Sequence, residues 1–350
     1  MRIGIMAPPW APVPPTGYGG TEAVVDRLAR GLVAAGHEVL LWTTGDSTCP
    51  VPRGWVLEAS EGDRIGFAAI ELRHLVRGYD ALVGWGADLV HDHTLIGPVY
   101  ARRFPDLPVV TTNHGPFGEE LTELYRAIGD RVPIIAVSHD QASRADGLHV
   151  AAVIHHGIDL EDHAPGSGAG DDRGEYFLFL GRMAPEKGAF RAALAARKAG
   201  VRLLMAAKMR EKWEREYFQA RVEPLLDEDV VYLGEVSREE KLGLLGGARA
   251  LVNPIRWPEP FGLVMIEALA CGTPVLAYRE GAAPEIVDHG VTGFLCDGVD
   301  ELVERLHQVG ELDRHACREA VEARFSTARM VVDHVALYER VLAGAPGRAR

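Results

Sequence analysis

Short apolar runs alternate with stretches of helical periodicity along this chain. Residues 2–7, RIGIMA, form one such run. In residues 21–36, Val24, Val25, Leu28, Leu32 and Val33 recur at the three-to-four spacing of a single helix face. Thr21 is the expected N-cap of that helix and Gly36 its expected stop. EVLLWTT, residues 38–44, is the next apolar run. A strand, a helix and a second strand in that order imply parallel pairing through a right-handed crossover. The alternation continues with strands expected at 81–85, 88–93, 108–114, 134–139 and 151–157, and helices over 64–78 and 116–130. Repeated units of this kind build a doubly wound parallel sheet with helices on both faces.

The pattern breaks at 161–175, EDHAPGSGAGDDRGE, whose Gly, Asp and Pro content reads as an interdomain linker. It then restarts, with strands expected at 176–181, 202–207, 230–234, 250–254, 274–278 and 293–297. Helices are expected over 186–199, 208–222, 238–248, 262–271 and 299–309, and an amphipathic helix over 327–344. The expected architecture is α/β: two Rossmann-like doubly wound domains, residues 1–160 and 161–326, facing across a cleft, with helix 327–344 packing back on the first. Ligands of such sheets bind beyond the carboxyl ends of the strands. The linker and the run before 327 are the expected hinges of a domain closure.

Composition narrows the classes. The chain has 350 residues, 47% hydrophobic and 25% charged, an ordinary globular balance that suits two domains. A net charge of −13 argues against nucleic acid or an anionic membrane surface as partner. Cys49, Cys271, Cys296 and Cys317 show no CxxC spacing, so neither a disulfide nor a zinc framework is expected, and a cytoplasmic location is the default. MRIGIMAPPW does not read as a secretory leader, no apolar run reaches the ~20 residues of a membrane span, and GAPGRAR at the end reads as a frayed tail.

Three stretches could carry chemistry. PPTGYGGTE, residues 14–22, places Gly17, Gly19 and Gly20 between a strand and a helix, where backbone amides can approach a phosphate, although a plain strand–helix turn would look the same. In FLGRMAPEKG, residues 179–188, Arg182 and Lys187 lie between a strand end and a helix start, as a fork and a point charge suited to a diphosphate. In NPIRWPEPFGLVMIEALACGTPV, residues 253–275, Glu259 lies in a proline-bracketed loop and Glu267 in the second turn of an apolar helix. The amides from Phe261 through Gly262 and Leu263 to Val264 open that helix and can hold an anion. A carboxylate on an apolar helix needs a partner, such as a pair of hydroxyls, facing Glu267. His91 and His93, in HDH, share a strand face and could be a metal pair, but no third ligand lies near them in sequence. DED at 227–229 reads as a solvated loop.

The last of these stretches resembles the E-x7-E signature of the family 4 retaining glycosyltransferases, which have the GT-B fold. GYGGTEAVVDRLARGLVAAGHEV, DLVHDH, VVTTNHG, IIAVSH, VIHHGID, GRMAPEKG, EKLGLLGGARALVNP, EPFGLVMIEALACGTPV and EGAAPEIVDHGVTGFL each resemble a segment of that family, in the family's order, from residue 2 to about 310. The resemblance implies roles. Glu259 would bind hydroxyls of a donor sugar and Glu267 the ribose of its nucleotide. Arg182 and Lys187 would hold the diphosphate, with backbone at Gly19 and Gly20 and at Leu263 and Val264. The turn at Glu235 and Val236 would face the base. His114 would contact the sugar near its reacting carbon, and the first domain would take the acceptor. Two departures stand out: His156 occupies a place where the family usually has Asn, and the Pro-rich loop APPWAPVPPTGYGG is longer than usual.

The implied reaction moves a sugar from a nucleoside diphosphate sugar, UDP or GDP in type, to an unidentified small-molecule, glycan or lipid acceptor. Retention at the anomeric carbon is expected by front-face displacement, since no carboxylate in these motifs is an evident nucleophile. No cofactor is expected, and no metal is required where Arg182 and Lys187 supply the cations. The alternatives are a nucleotide-sugar epimerase or a phosphorylase on the same fold. A dinucleotide-dependent oxidoreductase fits less well, because Gly17, Gly19 and Gly20 lack GxGxxG spacing. The oligomeric state is left open.

Overall fold

The structure, a computed structural model, describes residues 1–344, with the side chain of Asp130 left out. All of the expected C-terminal tail beyond Gly344 lies outside the described residues. Two compact units emerge: residues 1–157 with the C-terminal helix, and residues 158–326.

Among the described residues, the first unit holds a seven-stranded parallel sheet. Its strands are β1 Arg2–Met6, β2 Glu38–Trp42, β3 Arg53–Gly54, β4 Leu89–Asp92, β5 Val109–Thr112, β6 Ile134–Ala136 and β7 Val150–Val153, in the order β3-β2-β1-β4-β5-β6-β7. The second unit holds β8 Phe177–Arg182, β9 Leu203–Lys208, β10 Val230–Gly234, β11 Leu251–Asn253, β12 Val275–Tyr278 and β13 Gly293–Cys296, in the order β10-β9-β8-β11-β12-β13. Each sheet is doubly wound, and its strand order reverses once, between β1 and β4 and between β8 and β11. The buried side chains explain why these short runs pair in parallel. Phe177, Phe179, Leu203, Met205, Val252 and Leu276 pack from the second sheet against Ala192, Ala193 and Ala196 of one helix and Leu302 and Leu306 of another. With both faces covered, the strands carry continuous apolar runs rather than alternation.

The segment 81–85 is not a strand. It is the last turn and a half of a helix, Ala68–Trp85. Leu75, Tyr79 and Leu82 are buried on one face of it, while Val83 and Gly84 are exposed, and Gly86 ends it at φ 79°. An apolar run this short does not distinguish the two periods. Thr21 is not an N-cap either. The helix Gly20–Ala34 starts two residues earlier than a Thr21 cap would place it, behind Gly19, and no side chain caps it. A β-carbon on Gly19 would sit 2.7 Å from Pro15, so the proline loop leaves no room for a side chain at the N-cap position. Gly36, at φ 86°, follows the helix as expected.

The helix Arg314–Arg324 had no counterpart in the reading of the pattern. Arg314 at its start donates to the carbonyls of Gly166, Gly246 and Ala248 and to the Thr273 hydroxyl. The amides of Gly166, Gly168 and Gly170 bond to the carbonyls of Cys271, Gly246 and Gly247. A linker by composition, 161–175 is thus pinned along the second unit. The terminal helix Thr327–Gly344 belongs to the first unit, where it buries Met330, Val331, Leu337 and Tyr338. Among the described residues, no helix is long and apolar enough to cross a membrane, and the four cysteines are buried thiols.

Candidate active site

In the second unit the reversal of strand order lies between β8 and β11, so the loops leaving their carboxyl ends diverge there. Arg182 is the last residue of β8, the loop after it carries Lys187, and the loop after β11 carries Glu259. The two are locked together through backbone. The Arg256 amide donates to the Glu186 carbonyl at 2.9 Å. The Arg191 guanidinium donates to the Pro254 and Glu186 carbonyls at 2.8 and 3.0 Å. The turn after β12 supports Glu259 from the other side: the Ala282 amide donates to its carbonyl at 3.1 Å, and a β-carbon on Gly281 would meet that oxygen at 2.4 Å.

On this frame Lys187 forms an ion pair with Glu259. The Trp257 indole N–H donates to the same carboxylate oxygen, and the Lys187 ammonium lies 5.1 Å from the Trp257 ring centroid. Both side chains of the pair are mostly buried, 12% and 17% exposed, so solvent screens the pair little. The ammonium has three N–H donors, and the carboxylate spends one oxygen on Lys187 and Trp257, so both retain capacity for a ligand. Arg182 bonds Glu186 at 2.8 Å, lies 3.5 Å from the fully buried Glu214, and covers the Trp213 ring at 5.3 Å.

The helix Leu263–Ala270 begins behind Gly262, which sits at φ 91°. The orphan amides of its first turn, at Leu263 and Val264, open beside the Glu259 loop. Glu267, 7% exposed, lies one turn further, and its carboxylate accepts from the Lys241 ammonium at 2.9 Å. On this apolar helix the Glu267 charge is balanced by the Lys241 ammonium. Phe261 is buried against Phe325, with ring centroids 5.9 Å apart. Glu235 and Val236 leave β10, two strands from β8, and Glu235 is held by a fork from Arg210 at 2.9–3.2 Å.

Gly19, Gly20 and His114 belong to the first unit. The glycines open the helix after β1, and His114 follows β5. The imidazole of His114 bonds that of His93 at 2.8 Å, Nε2 to Nδ1. His93 packs on His91 with ring centroids 4.0 Å apart, and His114 stacks on His156 at 5.2 Å. His91 bonds the Tyr338 and Thr112 hydroxyls, each at 2.7 Å, so both its nitrogens are engaged. Burial, with His334 nearby, lowers the His114 pKa to about 3, so the ring is neutral at physiological pH.

The sequence did not point to Trp257, Lys241, Trp213 or Glu214 as working parts, and it offered His93 only as half of a possible metal pair with His91. Trp257 lies two residues before Glu259 in the same proline-bracketed loop, which was an available signal. Lys241 lies 26 residues before Glu267, on another helix, with nothing in the pattern to join them.

Two Rossmann-like parallel-sheet units, one of them carrying an Arg–Lys–Glu cluster at its switch point beside a helix N-terminus, define the GT-B class of glycosyltransferases. Residues 18–162 match Glycosyltransferase Family 4 and residues 164–324 match Glycosyl transferases group 1. The chain belongs to glycosyltransferase family 4. It is 28% identical to a glycogen synthase of Mycobacterium tuberculosis, over 81% of this chain and 80% of that one. It is 32% identical to a D-inositol 3-phosphate glycosyltransferase of a Mycobacterium species, over 61% of this chain and 56% of that one. Among solved structures it resembles AviGT4, a glycosyltransferase involved in avilamycin A biosynthesis, with a TM-score of 0.73, 27% identity and 99% of each chain covered.

Proposed function

We propose that this glycosyltransferase is retaining, and that it takes its sugar from a UDP- or GDP-type nucleotide sugar. The observation that carries this reading is the Lys187–Glu259–Trp257 cluster, set against the N-terminus of the helix that bears Glu267. Lys187 and Arg182 supply positive charge where a diphosphate would lie, and the Leu263 and Val264 amides add oriented donors. Glu259 accepts from sugar hydroxyls, and Glu267, steadied by Lys241, accepts from the ribose. Glu235 and Val236 border the base. His114 meets the sugar, and Gly19 and Gly20 give backbone donors from the first unit.

Both carboxylates of the second-unit site are tied to a lysine, which suits them to bind hydroxyls rather than to attack the anomeric carbon. Front-face displacement follows. The acceptor oxygen bonds to the anomeric carbon as the bond to the diphosphate breaks on the same face, and the acceptor proton passes to the leaving phosphate oxygen. Lys187 and Arg182 stabilise the charge that develops there. In this reading the two cations make a metal ion unnecessary. The acceptor, whether a small molecule, a glycan or a lipid, is set by the first unit, and the relatives named above act on different acceptors.

The test is a panel of nucleotide sugars, followed by thermal shift, by release of nucleoside diphosphate and by NMR of the product anomer. The expected result is stabilisation by one UDP- or GDP-sugar and a product with the donor's anomeric configuration. No shift with any nucleotide sugar, or an inverted product, would overturn the reading. Consumption of a nucleotide sugar without an acceptor, giving an epimeric sugar, would favour an epimerase.

A further inference from the structure

Five histidines form a packed group in the first unit: His91, His93, His114, His156 and His334. Four are buried and His114 alone of the five keeps partial exposure. His91 is fixed on both nitrogens, by Tyr338 and Thr112. His93 is not: its Nδ1 meets His114, while its Nε2 is buried with no hydrogen-bond partner.

We propose that His93 is a positioning residue for His114: its Nδ1–H donates to Nε2 of His114 and thereby keeps the His114 proton on Nδ1. The argument is one of counting. A neutral imidazole has one N–H and one lone pair. If His93 carried its proton on Nε2, that N–H would be buried without an acceptor, a rare and costly arrangement. With the proton on Nδ1, the orphan is a bare lone pair, and the N–H is used in the 2.8 Å bond. His114 then accepts at Nε2, so its own proton sits on Nδ1, the nitrogen left for a ligand. Its partly exposed edge presents a hydrogen-bond donor, suited to the oxygen of a sugar hydroxyl. Both rings are held neutral by burial, so this donor persists over the physiological range. The packing of His93 on His91, itself tied at both ends, fixes the ring plane from which the bond is made.

The tautomer assignment stands on the histidine pair alone; only its kinetic consequence rests on His114 meeting the donor sugar. The first arm of the test is NMR of the full chain with ¹⁵N-labelled histidine, assigned with His93→Asn and His114→Gln. The expected spectrum has protonated Nδ1 and bare Nε2 on both His93 and His114. A proton on Nε2 of His114 would overturn the proposal. The second arm is kinetic. Once the donor is known, His93→Leu should lower kcat by roughly 10- to 100-fold with KM for the donor little changed. His93→Asn, whose amide N–H reaches the place of Nδ1, should restore kcat to within about threefold. A folded Leu variant with full kcat, or an Asn variant no better than Leu, would count against it. If the spectrum is as expected but His114→Gln keeps full activity, the role given to His114 in transfer fails while the tautomer stands.

Discussion

A methyl group placed on Gly188 would lie 2.3 Å from the carbonyl oxygen of Pro254, and Gly188 itself sits at φ 91°. The loop after β8 and the loop after β11 therefore touch through bare backbone, and that contact sets Lys187 beside Glu259. Gly188→Ala should pay for both the left-handed conformation and the clash. The expected loss of stability is roughly 1–3 kcal/mol, read by urea unfolding. Turnover should fall further than stability alone explains, because the variant separates the two loops.

Lys187 and Glu259 act as a pair, and the pair should fail as one. Lys187→Ala and Glu259→Gln are each expected to reduce turnover by about 10²- to 10³-fold. The double variant should lose much less than the product of the two, since each change already disables the shared contact. Steady-state rates for the four proteins of this cycle decide the point. Strict multiplicativity would mean that the two side chains act separately.

Glu267 should report on nucleotide affinity. Glu267→Ala is expected to weaken nucleotide binding by roughly 10- to 100-fold, in line with lost hydrogen bonds to a charged group, with a smaller effect on kcat. Lys241→Met should weaken it in the same direction and lower the melting temperature, because Glu267 would lose its ammonium partner inside an apolar helix environment. Isothermal titration with the nucleoside diphosphate measures both variants.

The buried histidines set the acid limit of the first unit. His74 and His334 have pKa values lowered to about 4, and His114 to about 3, by burial. His91, His93 and His156 are also lowered well below the ordinary histidine value, chiefly by burial. A folded-state pKa below the unfolded value means that the unfolded chain binds the proton first. Their stabilisation is therefore fully present above pH ~6.5 and is lost as pH falls towards 4. Between pH 6.5 and 5, His74 and His334 should each account for about 2 kcal/mol. Urea unfolding at the two pH values gives the total, and His74→Gln should flatten its share.

Glu22 works in the opposite direction. Burial raises its pKa to about 7. The folded chain then holds this proton when the unfolded chain has released it, so its contribution is present below pH ~4.5 and declines as pH rises to 7. Glu22→Gln should therefore stabilise the protein at pH 8 by up to about 3 kcal/mol and leave it nearly unchanged at pH 4. An unfolding series across that range, with the histidine trend common to both proteins, isolates the difference.

Much of this molecule is determined by local sequence. Strand runs such as FLFL and VLAY are apolar on both faces, as strands buried on both faces are, and that signature survives without any knowledge of neighbours. Arg182, Lys187, Glu259 and Glu267 stand out as charges at a strand end, in the turn after it, in a proline-bracketed loop and on an apolar helix. The failures are equally local in cause. ALVGW reads as a strand because five residues cannot show whether the period is 2 or 3.6, and the preceding helix simply runs on through it. Thr21 has the chemistry of a cap but not its place, because the helix already begins at Gly20, behind a Gly19 that the proline loop packs too closely to carry a side chain. What only the tertiary structure decided is partnership. Lys187 with Glu259 and Trp257, Lys241 with Glu267, and His93 with His114 join residues from different elements, most of them tens of positions apart. Sequence specifies the charge or ring that each residue brings. The strand order, by setting which loops emerge side by side, specifies what that group meets, and so whether it binds, braces or presents a proton.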